Sequence, residues 1–324
     1  MSNRFGLGFL FLLLSIACVA QPLTPVEKPA TPREQSNIST TKGVVGIIAG
    51  GVNGTYIRIA ADMATVLDAA DLRILAIIGK GSAQNIDDLL YLKGVDMAIV
   101  QSDVLEYLKR QRTYQDIEKR INYVTKLYNE EFHLLVNSEI NTLNDLAGRK
   151  VNFDVKGSGT AITASIVFDT LKVAVEPTHF DQATALEKLK SGEIAALTYV
   201  AGKPAQLFEK ITAADNLRFL PIDHTPALLA TYLPAYLNNQ DYPILIAPNQ
   251  DVKTIAVGAV LAVYNWKRHY NRYQKVANFA NHFLDRFSEF QQPARHPKWR
   301  EVSLSAVIPG WTRFPAAQEW LQRH

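Results

Sequence analysis

The sequence has only one cysteine, Cys18, so the chain can form no internal disulfide, and thiol-based redox chemistry is not expected. Its seven histidines are scattered, and no two have the His-x-x-x-His spacing of a zinc-binding helix, which argues against a metal site. Neither sign of charge is in large excess. The net charge of +3 becomes +2 (3 − 1) without residues 1–20, which contain Arg4 and no acid. Nucleic-acid-binding proteins concentrate positive charge on one face, so we expect no nucleic-acid partner.

Long apolar runs are missing from the sequence except at its N-terminus. There, an uncharged stretch over residues 5–20 follows Arg4 and ends in small residues. This stretch is shorter than a membrane span, which needs about 20 residues. A positive charge, an apolar run and small residues follow one another here in the order typical of an export signal. We therefore predict that residues 1–20 are a signal peptide and that the mature protein is soluble in the periplasm.

Two cleavage sites are compatible with this signal. Cleavage after Ala20 would place the small residues Cys18 and Ala20 at the two positions that a signal peptidase inspects. Cleavage before Cys18 would instead give a lipoprotein, but Ser15 stands where such signals usually have an aliphatic residue, which favours the first site. Residues 21–42 are rich in Pro, Thr and Ser and lack an apolar period, so they are predicted to form a disordered leader or tether.

From residue 44 onwards, short apolar runs alternate with amphipathic segments. This pattern of βαβ units predicts an α/β fold with a mainly parallel sheet. The predicted strands are residues 44–48, 72–78, 95–100 and 123–128, followed by a second series at 132–136, 150–153 and 194–199. The predicted helices are residues 55–67, 82–93, 103–111, 160–171, 182–190 and 204–211, with one more introduced by the cap-like residues 142–145. Two such series predict two lobes with a cleft between them.

Glycine-rich and hydroxyl-rich loops follow several predicted strands, at the strand ends where ligands bind in open α/β sheets. In the most informative one, residues 49–56, glycines precede a helix start, whose unpaired N–H groups form a seat for an anion. Simpler roles stay open, since glycines also form tight turns and hydroxyls also cap helices. The candidate ligand-binding residues are Gly51, Asn53, Gly54, Thr55, Tyr56, Gly81, Ser82, Asn85, Gln101, Ser102, Asp103, Ser158, Gly159, Thr160, Tyr199 and Gly202.

Several motifs in these loops also follow a familiar order and spacing over roughly residues 44–263. They are Gly50-Gly51 with Gly54-Thr55-Tyr56, Gly81-Ser82 with Asn85, the run at 95–103, Leu127-Tyr128 with Glu131 and His133, Gly157-Ser158-Gly159-Thr160, and Val200-Ala201-Gly202 with Pro204. Together they resemble the TAXI family of solute-binding subunits of TRAP transporters. The sequence departs from that family where Ile57 and Arg58 follow Tyr56, and residues 266–324 do not map onto it, which leaves the ligand and the tail unassigned.

The resemblance implies a two-lobed periplasmic-binding-protein fold of type II with a ligand cleft between the lobes. Residues 43–130 and 255–324 would form lobe 1, and residues 131–254 lobe 2, with hinges near 129–132 and 253–257. It implies a monomer without a cofactor that captures a small anionic solute, a glutamate-like amino acid or an organic carboxylate. The solute would pass to a TRAP-type permease in the inner membrane.

The family-matched motifs contain no arginine to bind a carboxylate. We therefore expect the carboxylate to be held by helix N-termini and hydroxyls, from residues 158–160 on one side and Thr55 and Tyr56 on the other. Lys156 and Lys203 are close enough in sequence to these loops to add charge.

Enzyme motifs are incomplete in this chain. Lys156 replaces the glycine that a nucleophile elbow needs before Ser158. Gly79-Lys80 is not part of a P-loop, because Ile74 replaces its first glycine and Gly81 replaces its last residue, a serine or threonine. We therefore expect no catalytic activity. Two alternatives to transport stay open: a periplasmic sensor or orphan receptor with the same cleft, and a nucleotide-binding enzyme with Asp71 as the ribose ligand.

Overall fold

The computed structural model describes residues 43–324, so the predicted signal peptide, the leader and lipidation at Cys18 lie outside the described residues. The strands are β1 (Val44–Ile48), β2 (Arg73–Ile77), β3 (Met97–Gln101), β4 (Ile121–Asn137), β5 (Lys150–Asn152), β6 (Glu176–Thr178), β7 (Ala196–Ala201), β8 (Leu217–Phe219), β9 (Leu233–Asn238), β10 (Asp251–Tyr264) and β11 (Thr312–Arg313). The helices are α1 (Thr55–Val66), α2 (Ser82–Tyr91), α3 (Val104–Arg110), α4 (Ile117–Arg120), α5 (Gly159–Leu171), α6 (Gln182–Lys190), α7 (Pro226–Leu229), α8 (Asn271–Asp285), α9 (Phe287–Phe290) and α10 (Pro315–Arg323).

These strands belong to one mixed sheet, with the order β2-β1-β3-β10-β4-β7-β5-β6. The strands β2, β1 and β3 are parallel to one another, as are β6, β5 and β7. Between these two groups, β10 and β4 run antiparallel to each other and to their neighbours. The expectation of a mainly parallel sheet is therefore wrong for its centre, because two long strands join two parallel halves.

The strands predicted at 123–128 and 132–136 are in fact one strand, β4, with 17 residues. The polar residues between them suggested a break, yet two of them are buried within the strand. Glu130 accepts a hydrogen bond from Tyr56, and Glu131 forms an ion pair with Lys298. Because each buried acid has a partner of this kind, the strand continues through the polar segment.

Buried apolar side chains form three clusters, which divide the sheet into two lobes. The first core contains the side chains of β1–β3 and the beginning of β4, from Ile121 to Tyr128. The second and third cores contain the end of β4, including Phe132 and Val136. We call the lobe around the first core the first lobe and the other the second lobe. Their predicted residue boundaries stay a prediction.

Both β4 and β10 pass from one lobe into the other. In β10, Ile255 and Val257 belong to the second core, and residues 259–264 belong to the first. The pairing of β10 with β4 changes register between Gly258 and Val260, where Gly258 faces Asn129. Such an irregularity bends and twists a strand locally. The crossing between the lobes therefore lies beside the hinge positions predicted from the sequence.

The unassigned tail after residue 265 is part of the first lobe. Its helices α8 and α9 and its 3₁₀ segment Pro297–Glu301 place aromatic residues in the first core. The fully buried ones are Phe279, Phe283, Phe290, Trp299 and Phe314. A buried ion pair adds to this packing, with Lys275 Nζ 2.7 Å from Asp96 Oδ2. The aromatic character of the tail thus reflects its role in the core.

Two predicted helices are shorter than expected. Thr142 and Asp145 form a capping box, but the 3₁₀ helix Leu143–Leu146 ends within about one turn, since β5 begins at Lys150. The helix predicted at 204–211 is reduced to the 3₁₀ segment Gln206–Phe208. Of the helices in residues 43–324, none combines the length and the hydrophobicity needed to cross a bilayer.

Candidate functional site

A small pocket lies between the two lobes, where the N-termini of α1, α2 and α5 meet. Its empty volume is about 420 Å³, including the part that opens to solvent. The cavity itself is only about 70 Å³, which is small for a ligand pocket and points to a compact solute. The lining residues are Gly50, Gly51, Gly54, Thr55, Tyr56, Lys80, Gly81, Ser82, Gln101, Glu130, Asp154, Ser158, Gly159, Thr160, Tyr199, Val200 and Ala201.

The three helix N-termini at the pocket are unusually short of capping acids. The N-cap residues of α1 and α2 are Gly54 and Gly81, which have no side chain to cap the helix. None of the three helices has an acidic residue in its first turn. Two of the first-turn N–H groups already have partners, since that of Gln84 donates to the carbonyl of Gly157 and that of Ala161 to Ser158 Oγ. The other first-turn N–H groups and the positive ends of the helix dipoles are available to an anion in the pocket.

Hydroxyl groups at these helix starts combine structural and binding capacity. Ser82 Oγ accepts the N–H of Gln101 at 2.8 Å, and Ser158 Oγ caps α5 by accepting the N–H of Ala161 at 3.1 Å. In these two hydrogen bonds the hydroxyl oxygen is the acceptor. The O–H of each side chain can therefore still donate a hydrogen bond. The capping role and the ligand-binding role predicted for these residues are therefore compatible.

The lobes contact each other around the pocket. The N–H of Gln84 in the first lobe donates to the carbonyl of Gly157 in the second at 3.2 Å. Deeper in the cleft, Thr163 donates to Asp103 Oδ2 at 3.0 Å, and Tyr232 donates to the same oxygen at 3.3 Å. These bonds cross from one lobe to the other, so the cleft is closed over the pocket.

Most of the candidate residues from the sequence line the pocket. They are Gly51, Gly54, Thr55, Tyr56, Gly81, Ser82, Gln101, Ser158, Gly159, Thr160 and Tyr199. The structure thus brings together loops that are up to about 150 residues apart in the chain. Whether each of them contacts a ligand stays a prediction.

Five candidates lie elsewhere: Asn53, Asn85, Ser102, Asp103 and Gly202 do not line the pocket. Asn85 is fully buried, and its Nδ2 donates to the carbonyls of Ala49 and Ile99 at 2.6 and 2.8 Å, while its Oδ1 accepts the N–H of Gly81. It therefore holds two pocket loops in place without lining the pocket itself.

The other four have separate positions. Asn53 is exposed, Gly202 packs against Thr55 and Lys298, and Ser102 and Asp103 line a second groove between the lobes.

The sequence analysis missed three charged residues in the pocket: Lys80, Glu130 and Asp154. Glu130 is almost completely buried on β4, and the hydroxyl of Tyr56 donates to its Oε2 at 2.6 Å. Burial raises the pKa of Glu130 to about 8 and that of Asp154 to about 6. An acidic residue within a long apolar strand is a signal that marks Glu130, whereas no sequence pattern marks Asp154.

The raised pKa of Glu130 predicts a specific pH dependence of stability. An unfolded glutamate has a pKa of about 4.3, so between that value and about 8 the folded state retains the proton that the unfolded state releases. Stability should therefore fall as pH rises through this range. Burial lowers the pKa of His133 to about 3 and that of His296 to about 4. Unfolded histidines keep their protons up to a pH of about 6.5, so these two residues make stability rise with pH, but only below that value. Asp103 and Asp154, with pKa values of about 6, have mostly ionised by pH 7.

Between pH 7 and 8 the decline should thus come mainly from Glu130, at up to about 1.4 kcal/mol per pH unit. Glu130→Gln should remove most of it, because glutamine is neutral and can still accept the bond from Tyr56. Urea unfolding of the parent and the variant at pH 6.5, 7.0, 7.5 and 8.0 measures the two slopes. Equal slopes would show that Glu130 does not titrate in this range.

The fold and the cleft define the class of protein. The chain aligns with a solved structure described as a periplasmic transporter over 86% of this chain and 92% of that one, with 13% identity and a TM-score of 0.51. The predicted two-lobed periplasmic-binding-protein fold of type II is confirmed. The alkanesulfonate-binding protein SsuA from Xanthomonas axonopodis pv. citri aligns over 87% of this chain and 84% of its own, with 13% identity and a TM-score of 0.47.

A family model identifies the chain more closely. The model of the NMT1-like family matches residues 47–274, and the chain belongs to this family. The match begins in β1 and ends in α8, so it includes every loop that lines the pocket.

Proposed function

We propose that this chain is an extracytoplasmic solute-binding protein. It captures a small solute with a carboxylate group, a glutamate-like amino acid or an organic acid, and delivers it to a TRAP-type permease in the inner membrane. The main observation is the closed pocket at three helix N-termini that lack first-turn acids. The TAXI resemblance of the sequence supports the type of transporter, and the apolar N-terminal stretch supports export.

A carboxylate fits the donors in this pocket. Each helix N-terminus stabilises a nearby anion by about 0.3–1 kcal/mol, and by up to about 2 kcal/mol where it is partly buried. A hydrogen bond to a charged group adds about 1.5–3 kcal/mol. Micromolar binding needs about 8 kcal/mol, so three N-termini and a few hydroxyls can provide it.

The alternatives from the sequence lose their support. The aromatic tail had suggested a sensor, but its aromatic residues pack into the first core. Asp71, the possible ribose ligand, lies outside the pocket and accepts a hydrogen bond from Asn278 in α8. We therefore propose neither a sensor nor a nucleotide-binding enzyme. A monomeric mature protein that starts after Ala20 is part of the proposal, and mass spectrometry of the mature N-terminus distinguishes it from a chain lipidated at Cys18.

Ligand binding is expected to stabilise and compact the protein. A thermal-shift screen of amino acids, dicarboxylates and nucleotides should identify a carboxylate solute that stabilises the mature chain, by about 2.7 kcal/mol at a concentration 100-fold above Kd. Small-angle scattering with that solute should show a smaller radius of gyration, because the solute contacts both lobes and favours the closed state. Stabilisation by nucleotides alone, or an unchanged radius of gyration at saturation, would contradict the proposal.

A further inference from the structure

We propose that the solute bound in this pocket carries a protonated amine in addition to its carboxylate, and that Glu130 and Asp154 hold the amine. The inference rests on the proposed function and specifies its substrate class. It identifies the solute as a small zwitterion of the amino-acid type and excludes organic acids that lack an amine.

The first observation is the position of Glu130. This residue is only 3% exposed, yet it lines the pocket. Its Oε2 accepts the hydroxyl of Tyr56, whereas its Oε1 has no hydrogen-bond partner within residues 43–324. Oε1 is therefore open to a donor from a ligand, and such a bond would favour the charged form of Glu130. A protonated amine supplies up to three donors together with the opposite charge.

The second observation is that Asp154 lies near the same end of the pocket. Asp154 follows β5 in a left-handed conformation, with φ +67°, and its side chain lines the pocket four residues before the start of α5 at Ser158. Burial raises the pKa of Tyr199, and the charges of Asp154 and then Glu130 raise it further. Each of the two acids is thus close to the phenol of Tyr199, and both line the same pocket.

The third observation is that no lysine or arginine among the described residues forms an ion pair with either acid. Among the pocket residues, Lys80 is the only lysine or arginine, and it is exposed. The groups that face Glu130 from neighbouring elements are Tyr56, Tyr128, Glu131, Asp103 and Lys298. Of these only Lys298 is a cation, and it already pairs with Glu131 and Glu301.

A simple carboxylate would therefore enter a pocket that holds two further carboxyl groups. Its charge would meet helix N-termini on one side, and on the other the ionised Asp154 and a Glu130 that has to keep its proton. Like charges at short range are repulsive, so Asp154 opposes such a solute and Glu130 can offer it no opposite charge. In a zwitterion, the carboxylate meets the N–H and O–H donors while the amine meets the acids. The small cavity favours a compact solute of this kind.

The test compares pairs of solutes that differ only by an amine or a hydroxyl at the same carbon: L-glutamate and L-2-hydroxyglutarate, L-aspartate and L-malate, and L-alanine and L-lactate. Calorimetry at pH 7 gives the affinities for the parent, Glu130→Gln and Asp154→Asn. Glu139→Gln is the matched control, since it removes one negative charge from an exposed residue outside the pocket. Thermal melts confirm that each variant is folded.

We expect the parent to bind the amine member of at least one pair at least 100-fold more tightly than the hydroxy member. Glu130→Gln and Asp154→Asn should each lower the affinity for the amine at least tenfold and leave the hydroxy acid unchanged or more tightly bound. Glu139→Gln should match the parent. Calorimetry in two buffers with different ionisation enthalpies should also show release of close to one proton as the amine binds, because the pKa of Glu130 of about 8 falls beside a cation. Glu130→Gln should abolish this release.

The possible failures are distinguishable. If the parent binds the hydroxy acids as tightly as the amines, or if both pocket variants bind the amine like the parent, the amine site is wrong while the proposed function stands. If the parent binds no member of any pair, the proposed capture of small carboxylates fails, and the amine site fails with it.

Discussion

Gly159→Ala is expected to weaken solute binding by about 100-fold, or about 2.8 kcal/mol, without destabilising either lobe. Gly159 begins α5 in the second lobe, and a Cβ at this position would lie 2.2 Å from Gln101 Oε1 and 2.7 Å from Ser82 Oγ in the first lobe. Real Cβ atoms essentially never approach other atoms so closely. Both side chains are buried, with Gln101 2% and Ser82 0% exposed, so they have little room to turn away from the added methyl group. The methyl group would therefore hold the lobes apart, while alanine, as the better helix former, suits α5 itself.

Gly51→Ala is the matched control for this variant. Gly51 also lines the pocket, but a Cβ there would meet no atom within 4 Å. Calorimetry and small-angle scattering with a solute found in the thermal-shift screen should show weak binding and no compaction for Gly159→Ala. The Gly51→Ala variant should still become more compact when this solute is added. If Gly159→Ala binds and compacts like the parent, the closed cleft described above is not the ligand-bound arrangement.

Lys298→Met is expected to lower the free energy of unfolding by about 3–5 kcal/mol, because it removes one partner of a buried ion pair. Lys298 lies in the tail and is 1% exposed, and its Nζ is 2.8 Å from Glu131 Oε1 on β4. The other oxygen of Glu131 accepts the N–H of Lys203 from the second lobe at 3.1 Å. Without Lys298, the carboxylate of Glu131 would remain buried with one backbone donor.

Two further variants separate this cause from a general effect of the substitution. Lys119→Met removes an exposed ion pair with Asp116 and should cause no measurable change in urea unfolding. Lys298→Met combined with Glu131→Gln should recover much of the loss, because glutamine carries no charge and can still accept the bond from Lys203. A loss below about 1 kcal/mol for Lys298→Met would mean that Glu131 takes up a proton at little cost.

The sequence predicts the parallel halves of the fold better than its centre. In the halves, β1, β3 and β7 are mostly apolar runs, and short-range patterns suffice to predict them. The short strand β6, with the sequence Glu-Pro-Thr, has no such run and was not predicted. The centre depends on long-range partners: β4 continues past Glu130 and Glu131 only because Tyr56 and Lys298 reach them from distant segments. No pattern within residues 121–137 reveals those partners. The tail was missed for a similar reason, since Trp299 and Phe314 become core residues only against β4 and its neighbours.

In the candidate site, too, only the residues with a local sequence signal were predicted. Its donors were found because glycines and hydroxyls at strand ends are a local signal, and the helices that follow bring them together. Its acids were not found, because neither Glu130 nor Asp154 belongs to such a motif. Asn85 is the opposite case. It was predicted to bind the ligand because it stands beside a glycine-rich loop, but its side chain donates to the carbonyls of Ala49 and Ile99 and does not line the pocket.

The division of the first core between both ends of the chain has a consequence for assembly. The second and third cores use residues 132–257, one contiguous segment, whereas the first core needs Val45 and Ile47 from the beginning and Phe314 and Ala317 from the end. A chain that emerges from a ribosome or a translocation pore with its N-terminus first cannot complete the first core until its last residues are free. The first lobe, which contains the early strands β1 and β2, is thus the last to be finished, and these strands lack the packing of the tail until then. A chain truncated before Phe314 should accumulate with the second lobe folded and the first lobe open to proteases.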